Sequence, residues 1–190
     1  MVIERDIIKD AALSEDGLFR YTLTRWWGEK HFSEPDCGLW MPIGMLNPST
    51  ADSFIDDPTI RRCVSFAAGL GYNGLLVVNL YAFRTSDPSD LADQPDAIGP
   101  RNDDMIRSVL RAARGHTLGQ ASIEDLKFYC AWGVATGHVH RHRKVLGMAI
   151  DTGFRPFAFR RTKAGWPAHP LYLPADVQPA PYYEDTRFLL

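Results

Sequence analysis

Short, continuous runs of apolar residues alternate along the chain with segments of helical spacing. Four of these runs are short enough to be single strands: residues 39–46, 74–80, 128–132 and 154–159. Such runs are typical of strands that are buried on both faces of a parallel sheet. We therefore expect four strands at the centre of the fold.

The segments between these runs have the spacing of amphipathic helices. The first begins at Asp57 and Pro58, a capping residue followed by a proline suited to a first turn, and ends near Gly71. Two more cover residues 102–114 and 138–151. Strands that alternate with helices predict an α/β fold, with three α/β/α layers around a four-stranded, mostly parallel central sheet.

The two ends of the chain have other patterns. Residues 18–27 alternate bulky and polar side chains, which predicts a strand of an N-terminal β-hairpin. The last segment contains three prolines after Leu173 and little periodicity. We therefore predict a single domain over residues 1–190, with the hairpin and a loop in 1–37, the α/β core in 38–173 and a tail in 174–190.

Composition limits the possible functions without naming one. Apolar residues make up 45% and charged residues 23% of the chain, as in ordinary globular domains. The sequence contains no run of about eighteen apolar residues, which predicts no membrane span and no membrane partner. The formal net charge is -2, so any binding of nucleic acid must depend on a local basic patch.

The cysteines indicate the compartment. Cys37, Cys63 and Cys130 are far apart and form no CxxC pair, which leaves too few thiolates for an iron–sulfur cluster. Sparse cysteines, together with charges where a secretory signal needs an apolar core, predict a cytoplasmic protein. No cofactor is expected. The oligomeric state stays open, with a monomer favoured.

Polar residues occur where the predicted strands end. Asn47 follows the first apolar run, Asn79 lies at the end of the second, and His169 follows the fourth. Ligands of parallel sheets bind beyond the carboxyl ends of the strands. We therefore expect these three side chains to meet at one site.

Four segments in this order resemble the uracil-DNA glycosylase superfamily. They are MLNPS at 45–49, GLLVVN at 74–79, CAWG at 130–133 and HPL at 169–171. The longer strings MLNPSTAD, DDPTIRRC, VVNLYAFR and HPLYLP resemble more closely the bacterial and phage domain-of-unknown-function family 1643. The glycosylase resemblance implies DNA repair by base flipping and hydrolysis of the N-glycosidic bond of a modified or damaged base.

The same resemblance implies roles for individual residues. Asn47 would position the attacking water, although an amide cannot accept its proton, and His169 would donate a hydrogen bond to the leaving base. Leu171 stands where the superfamily has a phosphate-binding serine, which favours a nucleobase or nucleotide pocket over uracil excision. Asn79 would read a base edge, and either Phe54 or Tyr81 would stack on the base. The implied contacts to a phosphate are Ser49 and Thr50.

An acidic group beside the first motif has two interpretations. Asp57 can cap the following helix, with Asp52 and Asp56 as solvated neighbours. Alternatively, Asp52 or Asp56 is the catalytic base that Asn47 cannot be, or the three carboxylates hold magnesium.

Basic side chains can supply the local patch. The candidate phosphate or DNA contacts, with one stacking tryptophan, are Arg61, Arg62, Arg143, Lys144, Arg161, Lys163 and Trp166. All of these residues can instead be ordinary surface or loop residues. His138 and His142 have the spacing of metal ligands on a helix, but the sequence supplies no nearby carboxylate or thiolate to complete a site, so no metal is predicted.

Three functions stay open from the sequence. The first is a DNA glycosylase-like hydrolase that acts on a modified base. The second is a nucleic-acid or nucleotide-binding module that keeps the pocket without catalysis. The third is a metal-dependent nucleotide or phosphate-ester enzyme built on Asp52, Asp56 and Asp57. The expected partner in each case is DNA or a nucleotide.

Overall fold

The computed structural model describes residues 6–31, 34, 37–49, 51–119, 121–134 and 139–182. Its strands are β1 (Ile8–Leu13), β2 (Arg20–Trp26), β3 (Trp40–Met45), β4 (Gly74–Asn79), β5 (Lys127–Cys130), β6 (Arg155–Ala158) and β7 (Ala180–Pro181). Its α-helices are α1 (Pro58–Gly69), α2 (Asn102–Leu118) and α3 (Val139–Asp151). Short 3₁₀ helices cover Pro88–Ala92, Ile123–Asp125 and Pro170–Tyr172. Among the described residues, no helix has the length and apolar character needed to cross a membrane.

The strands form one mixed sheet in the order β1-β2-β4-β3-β5-β6-β7. The pairs β4-β3, β3-β5 and β5-β6 are parallel, whereas β1-β2, β2-β4 and β6-β7 are antiparallel. The prediction of a four-stranded, mostly parallel central sheet is therefore wrong. Within the described residues the sheet has seven strands, and half of its pairings are antiparallel. The protein is still of the α/β class.

The sheet is larger than predicted because both ends of the chain join it. β2 pairs with β4 along five residue pairs, so the N-terminal hairpin belongs to the sheet. The polar residues of β2 suggest a strand with one solvated face, yet Arg20, Thr22 and Arg25 are all buried. At the other edge, β7 pairs with β6 although only two residues take part. Neither pairing partner can be read from an alternation pattern.

The helices cover the two faces of the sheet. Side chains of α1 such as Ile60 pack with Leu75 and Val77 on one face, called here the α1 face. Side chains of α2 and α3, such as Leu110 and Val145, pack on the opposite α2/α3 face. Because both faces are covered, the carboxyl ends of the parallel strands are the places where polar side chains can reach a ligand.

A local hydrogen bond caps the start of α1, and long-range hydrogen bonds fix the start of α2 against the sheet. The Oδ1 atom of Asp57 accepts a hydrogen bond from the Ile60 amide at 2.8 Å, which makes Asp57 the N-cap of α1. At the start of α2, the buried Asn102 donates from Nδ2 to the carbonyls of Asn79 and Leu80. Asn102 thus holds the end of β4 against the N-terminus of α2.

Candidate functional site

A polar cleft of about 350 Å³, called here the strand-end cleft, opens beside the carboxyl ends of β3 and β4. It lies among the segments that follow these two strands, the start of α1 and the 3₁₀ helix Pro170–Tyr172. Residues with polar side chains on its wall include Arg20, Asn47, Ser49, Asp57, His169 and Tyr172. The structure therefore brings Asn47 and His169 to one cleft.

The side chain of Asn47 is held by its own loop and by the segment after β4. Its Nδ2 atom donates hydrogen bonds to the carbonyls of Thr85 at 2.8 Å and Pro48 at 3.1 Å. Both N–H groups of the amide are thus engaged, and no donor in the described chain contacts Oδ1. The free atom of this side chain is an acceptor, suited to hold a water molecule or an N–H group.

Burial favours the neutral form of His169, and a backbone hydrogen bond indicates which nitrogen carries the proton in that form. Its Nδ1 atom accepts a hydrogen bond from the Leu171 amide at 3.4 Å and so caps the short 3₁₀ helix. Burial lowers the pKa of His169 below its ordinary value of 6.5, and the Asp57 carboxylate opposes this shift. A neutral imidazole whose Nδ1 accepts a hydrogen bond carries its proton on Nε2. Nε2 is therefore the donor that His169 can offer to a ligand.

Asn79 lies beneath the cleft rather than on its wall. It is fully buried, and neither Oδ1 nor Nδ2 of its amide has a hydrogen-bond partner in the described chain. Alternation along β4 directs it to the α1 face with Val77, and its neighbour in the ladder is Met45, which lines the cleft. A buried amide without partners is uncommon, so Asn79 is a polar group that a ligand or a water can satisfy.

A buried arginine completes the cleft. The ladder between β1 and β2 steps from the pair Ala12–Thr22 to the pair Leu13–Arg20, so Tyr21 is an extra residue in a β-bulge. Arg20 is buried, donates from Nη1 to the Ala51 carbonyl at 2.5 Å and lines the cleft. Burial lowers its pKa to about 10, so the side chain is still a cation at neutral pH. Arg20 is not predictable as a site residue from the sequence, because nothing in the alternation of residues 18–27 marks the bulge.

Hydroxyl groups line the side of the cleft next to Asn47. Ser49 Oγ lies 3.3 Å from Ser86 Oγ, and the Thr85 amide donates to the Pro48 carbonyl at 3.0 Å. The segments after β3 and β4 are therefore joined. Thr50, predicted beside Ser49 as a phosphate contact, lies outside the described residues.

Asp52, predicted as a catalytic base, is engaged in a turn outside the cleft wall. Its Oδ1 accepts hydrogen bonds from the amides of Phe54 at 2.8 Å and Ile55 at 2.9 Å. These bonds lower the pKa of the Asp52 carboxyl. The side chain therefore stabilises a turn and does not reach the strand-end cleft.

Asp56, the other predicted base, is paired with two cations. Its carboxylate lies 2.6 Å from Arg25 Nε and 2.8 Å from Lys9 Nζ. Burial alone would raise the pKa of Asp56, but the hydrogen bonds from Lys9 and Arg25 outweigh burial and lower it. The acidic residue that does line the cleft is Asp57, which also caps α1.

The two aromatic residues predicted to stack on a base lie away from the cleft wall. Phe54 is 83% exposed in the turn held by Asp52, and Tyr81 is half-buried against the α2/α3 face. Tyr172 is on the wall instead, 82% exposed, with its ring centroid 6.2 Å from that of His169. The sequence signal for Tyr172 is its place in the HPLY string directly after His169.

The predicted phosphate contacts of α1 have structural partners. Arg61 is exposed and donates to the backbone carbonyl of Asp56. Arg62 is half-buried, donates to the Leu173 carbonyl and lies 4.6 Å from the centroid of the Phe66 ring. Both side chains thus hold α1 to the surrounding loops.

The remaining basic candidates are spread over the surface near α3. Lys144 is paired with Asp103 at 2.7 Å, and the same carboxylate binds the buried Arg141 at 2.5 Å. Arg141 is not predictable from the sequence as a paired residue, because its acidic partner is distant in the sequence.

The other candidates in the described chain are the half-buried Arg143 and Trp166 and the exposed Arg161 and Lys163. None of these described residues lines the strand-end cleft, and His138 lies outside the described residues.

The carboxylates of Asp52, Asp56 and Asp57 do not converge on a common point. In the described parts of the chain, no group of three or more histidines, cysteines and acidic residues is arranged to hold a metal ion. The magnesium site considered for this cluster therefore has no geometric support among the described residues.

The chain is similar to one family of proteins by its sequence. A family model described as "Protein of unknown function (DUF1643)" matches residues 20–171, which include the residues named on the cleft wall apart from Tyr172. No curated protein and no solved structure matches the chain. The resemblance of the MLNPSTAD and HPLYLP strings to this family is confirmed. The chain belongs to the DUF1643 family of proteins of unknown function.

Proposed function

We propose that the strand-end cleft binds a modified or damaged nucleobase of DNA and hydrolyses its N-glycosidic bond. The observation that supports this most directly is an acceptor and a donor on one cleft, Oδ1 of Asn47 and Nε2–H of His169. Hydrolysis of this bond needs an acceptor that orients the attacking water and a donor to the departing base. The volume of about 350 Å³ is in the range of small-molecule pockets.

In the proposed reaction, water adds to C1′ of the sugar while the C1′–N bond breaks and its electron pair leaves with the base. His169 donates to a base carbonyl as negative charge develops there. Asn47 orients the water but cannot take its proton. Asp57 is the carboxylate on the wall that can take it, because its Oδ1 caps α1 and no donor in the described chain contacts Oδ2.

Other residues of the cleft suit the rest of a nucleotide. The cationic Arg20 and the hydroxyls of Ser49 and Ser86 are suited to a phosphate group. Tyr172 offers an exposed ring at the rim on which a base can stack. Asn79 has a free donor and a free acceptor but is fully buried beneath the cleft, so it would act on a bound base through an intervening water.

A second candidate function is nucleotide binding without hydrolysis. The observation that favours it is Asn47 itself, because an amide stands where a carboxylate would be the stronger base. The same cleft would then recognise a base and a phosphate but leave the glycosidic bond intact. The metal-dependent enzyme considered from the sequence is not proposed, since its three carboxylates do not converge.

The experiment that tests catalysis uses oligonucleotides, single-stranded and duplex, that carry uracil, hypoxanthine or hydroxymethyluracil. The protein is added and the DNA is treated with alkali, which cuts the strand wherever a base has been lost. We expect cleavage at one of these bases and a loss of about 100-fold or more in rate for Asn47→Ala and for His169→Gln. Glu15→Gln, in the exposed turn between β1 and β2, is the matched control and should keep the wild-type rate.

The outcomes separate the two functions. Specific binding of a modified oligonucleotide that depends on Asn47 and His169, without strand cleavage, would favour the non-catalytic module. Failure to bind or to cleave any of these substrates would contradict both.

A further inference from the structure

A second concave surface, called here the arginine cleft, lies between α2 and α3. It encloses about 510 Å³, and Arg107, Arg111 and Arg114 line it from α2. Their spacing of four and three residues places them on one face of the helix. Met148 and Gly153 contribute to the opposite wall at the end of α3.

The three arginines share a lack of partners but differ in exposure, because Arg107 is half-buried and Arg111 and Arg114 are exposed. None of them has a hydrogen bond or an ion pair in the part of the chain that the structure describes, and Nη1 of Arg107 is buried with no acceptor. The buried Arg25 and Arg141, by contrast, are each paired with a carboxylate. A buried donor without an acceptor is costly. Three unpaired cations around one concavity therefore favour an anion from outside the chain.

The arginine cleft is separate from the strand-end cleft. α3 ends at Asp151, shortly before β6 begins at Arg155, so this end of α3 lies at the amino end of a parallel strand. It is also on the α2/α3 face, whereas Asn79 and α1 mark the other face. A nucleobase bound in the strand-end cleft would therefore not contact the arginines, since the two clefts share no lining residue. The arginines therefore suit a different ligand from the one proposed for the strand-end cleft.

We propose that the arginine cleft binds the oligophosphate chain of a small ligand, either a nucleoside triphosphate or an inorganic oligophosphate. The three arginines extend along about 10 Å of helix, so their guanidinium groups can contact the oxygens of successive phosphoryl groups. A concavity between two helices suits a compact anion better than the convex backbone of a duplex. Asp151 also lines the cleft, and its carboxylate opposes the binding of an anion.

The test is titration calorimetry of the whole protein with tripolyphosphate, ATP, adenosine and orthophosphate at low ionic strength. We expect tripolyphosphate or ATP to bind and adenosine not to bind. Arg107→Gln and Arg111→Gln should each weaken binding about tenfold, because each removes a charge-assisted hydrogen bond. The matched control is Arg160→Gln, an exposed arginine outside the cleft, which should have no effect. Asp151→Asn should tighten binding, since it removes a like charge from the wall.

Comparison of the ligands shows whether the protein recognises the phosphate chain alone or the nucleoside as well. Equal affinity for tripolyphosphate and ATP would show that the chain alone is recognised, and binding of ATP alone would show that the nucleoside contributes; both support the proposal. Binding that is unchanged by Arg107→Gln, or no binding of either ligand to a folded protein, would overturn it. Arg107-dependent binding of a short DNA duplex, without binding of ATP or tripolyphosphate, would assign the cleft to nucleic acid instead. Thermal melting of each variant by circular dichroism checks that it is folded.

Discussion

The strand-end cleft and the acidic segment of Asp52 and Asp56, which follows Asn47 in the sequence, differ in what their side chains contact. In the strand-end cleft, Asn47 and His169 are each oriented by backbone groups, and each keeps one hydrogen-bonding atom without a partner in the described chain. In the neighbouring acidic segment, the carboxylates of Asp52 and Asp56 are engaged by backbone amides and by cations. The first region has atoms available to a ligand, whereas the second stabilises the fold. Residue type alone does not separate the two.

The strongest test of the structural role of the acidic segment is removal of the arginine that holds it. Arg25 is fully buried, pairs with Asp56 at 2.6 Å and donates to the Asp52 carbonyl at 2.6 Å. Arg25→Ala is expected to lower the free energy of unfolding by about 3–5 kcal/mol, because it breaks a buried ion pair. Urea unfolding followed by circular dichroism measures this change. Arg160→Ala, at an exposed arginine away from the acidic segment, should change it by about 0.5 kcal/mol or less. A loss of about 1 kcal/mol or less for Arg25→Ala would show that the segment is held by other contacts.

The next prediction separates two neighbouring carboxylates by function. Asp57→Asn keeps a good N-cap for α1, so stability should change little, while the rate of base release should fall about 100-fold or more because the proton acceptor is lost. Asp56→Asn should show the opposite pattern, reduced stability and an unchanged rate, because Asp56 is paired with Arg25 and Lys9. The alkali cleavage assay and urea unfolding give the two measurements. If Asp56→Asn abolished the rate and Asp57→Asn did not, the proposed base would be the wrong residue.

A smaller effect is expected at the two buried asparagines near the end of β4. The Asn79 amide has no partner in the described chain, whereas Nδ2 of Asn102 binds two carbonyls. Asn79→Leu should therefore raise the free energy of unfolding by about 1 kcal/mol and weaken binding of the base. Asn102→Leu, the matched control, should lower the free energy of unfolding by about 1–3 kcal/mol, because two carbonyls lose their donor. Equal destabilisation by both changes would indicate that Asn79 has a partner, such as a buried water.

The parts of the fold that the sequence predicts are those set by local pattern. Apolar runs mark β3 to β6, and because parallel strands end at one edge, Asn47 and His169 could be placed near each other. The pairing of β2 with β4 and of β6 with β7 depends on contacts between distant residues, which periodicity does not contain. The number of strands and the share of antiparallel pairings were therefore predicted wrongly.

The residues of the candidate site also depend on contacts that the sequence pattern does not contain. Asp52, Asp56 and Asp57 are neighbours in sequence, and only the geometry of the turn decides that Asp57 lines the cleft. Arg20 lies at the cleft next to a β-bulge at Tyr21, and no residue pattern predicts this bulge. Sequence reasoning can thus name the chemical types near a strand end, but the choice among adjacent residues depends on tertiary contacts.

The smallest expected effect is the pH dependence contributed by His169. Its pKa in the folded protein is lowered from 6.5 by burial, so as the pH falls below 6.5 the unfolded chain takes up this proton before the folded one does. The free energy of unfolding should therefore decrease with falling pH between 6.5 and the lowered pKa, and His169→Gln should lose this part of the slope. The rate of base release should also persist below pH 6.5, because Nε2–H is the donor of the neutral imidazole. Urea unfolding and cleavage rates measured on both proteins between pH 5 and 8 test this. Identical stability slopes for the two proteins would show that His169 is not desolvated in the fold, and the neutral donor in the strand-end cleft would then lose its physical basis.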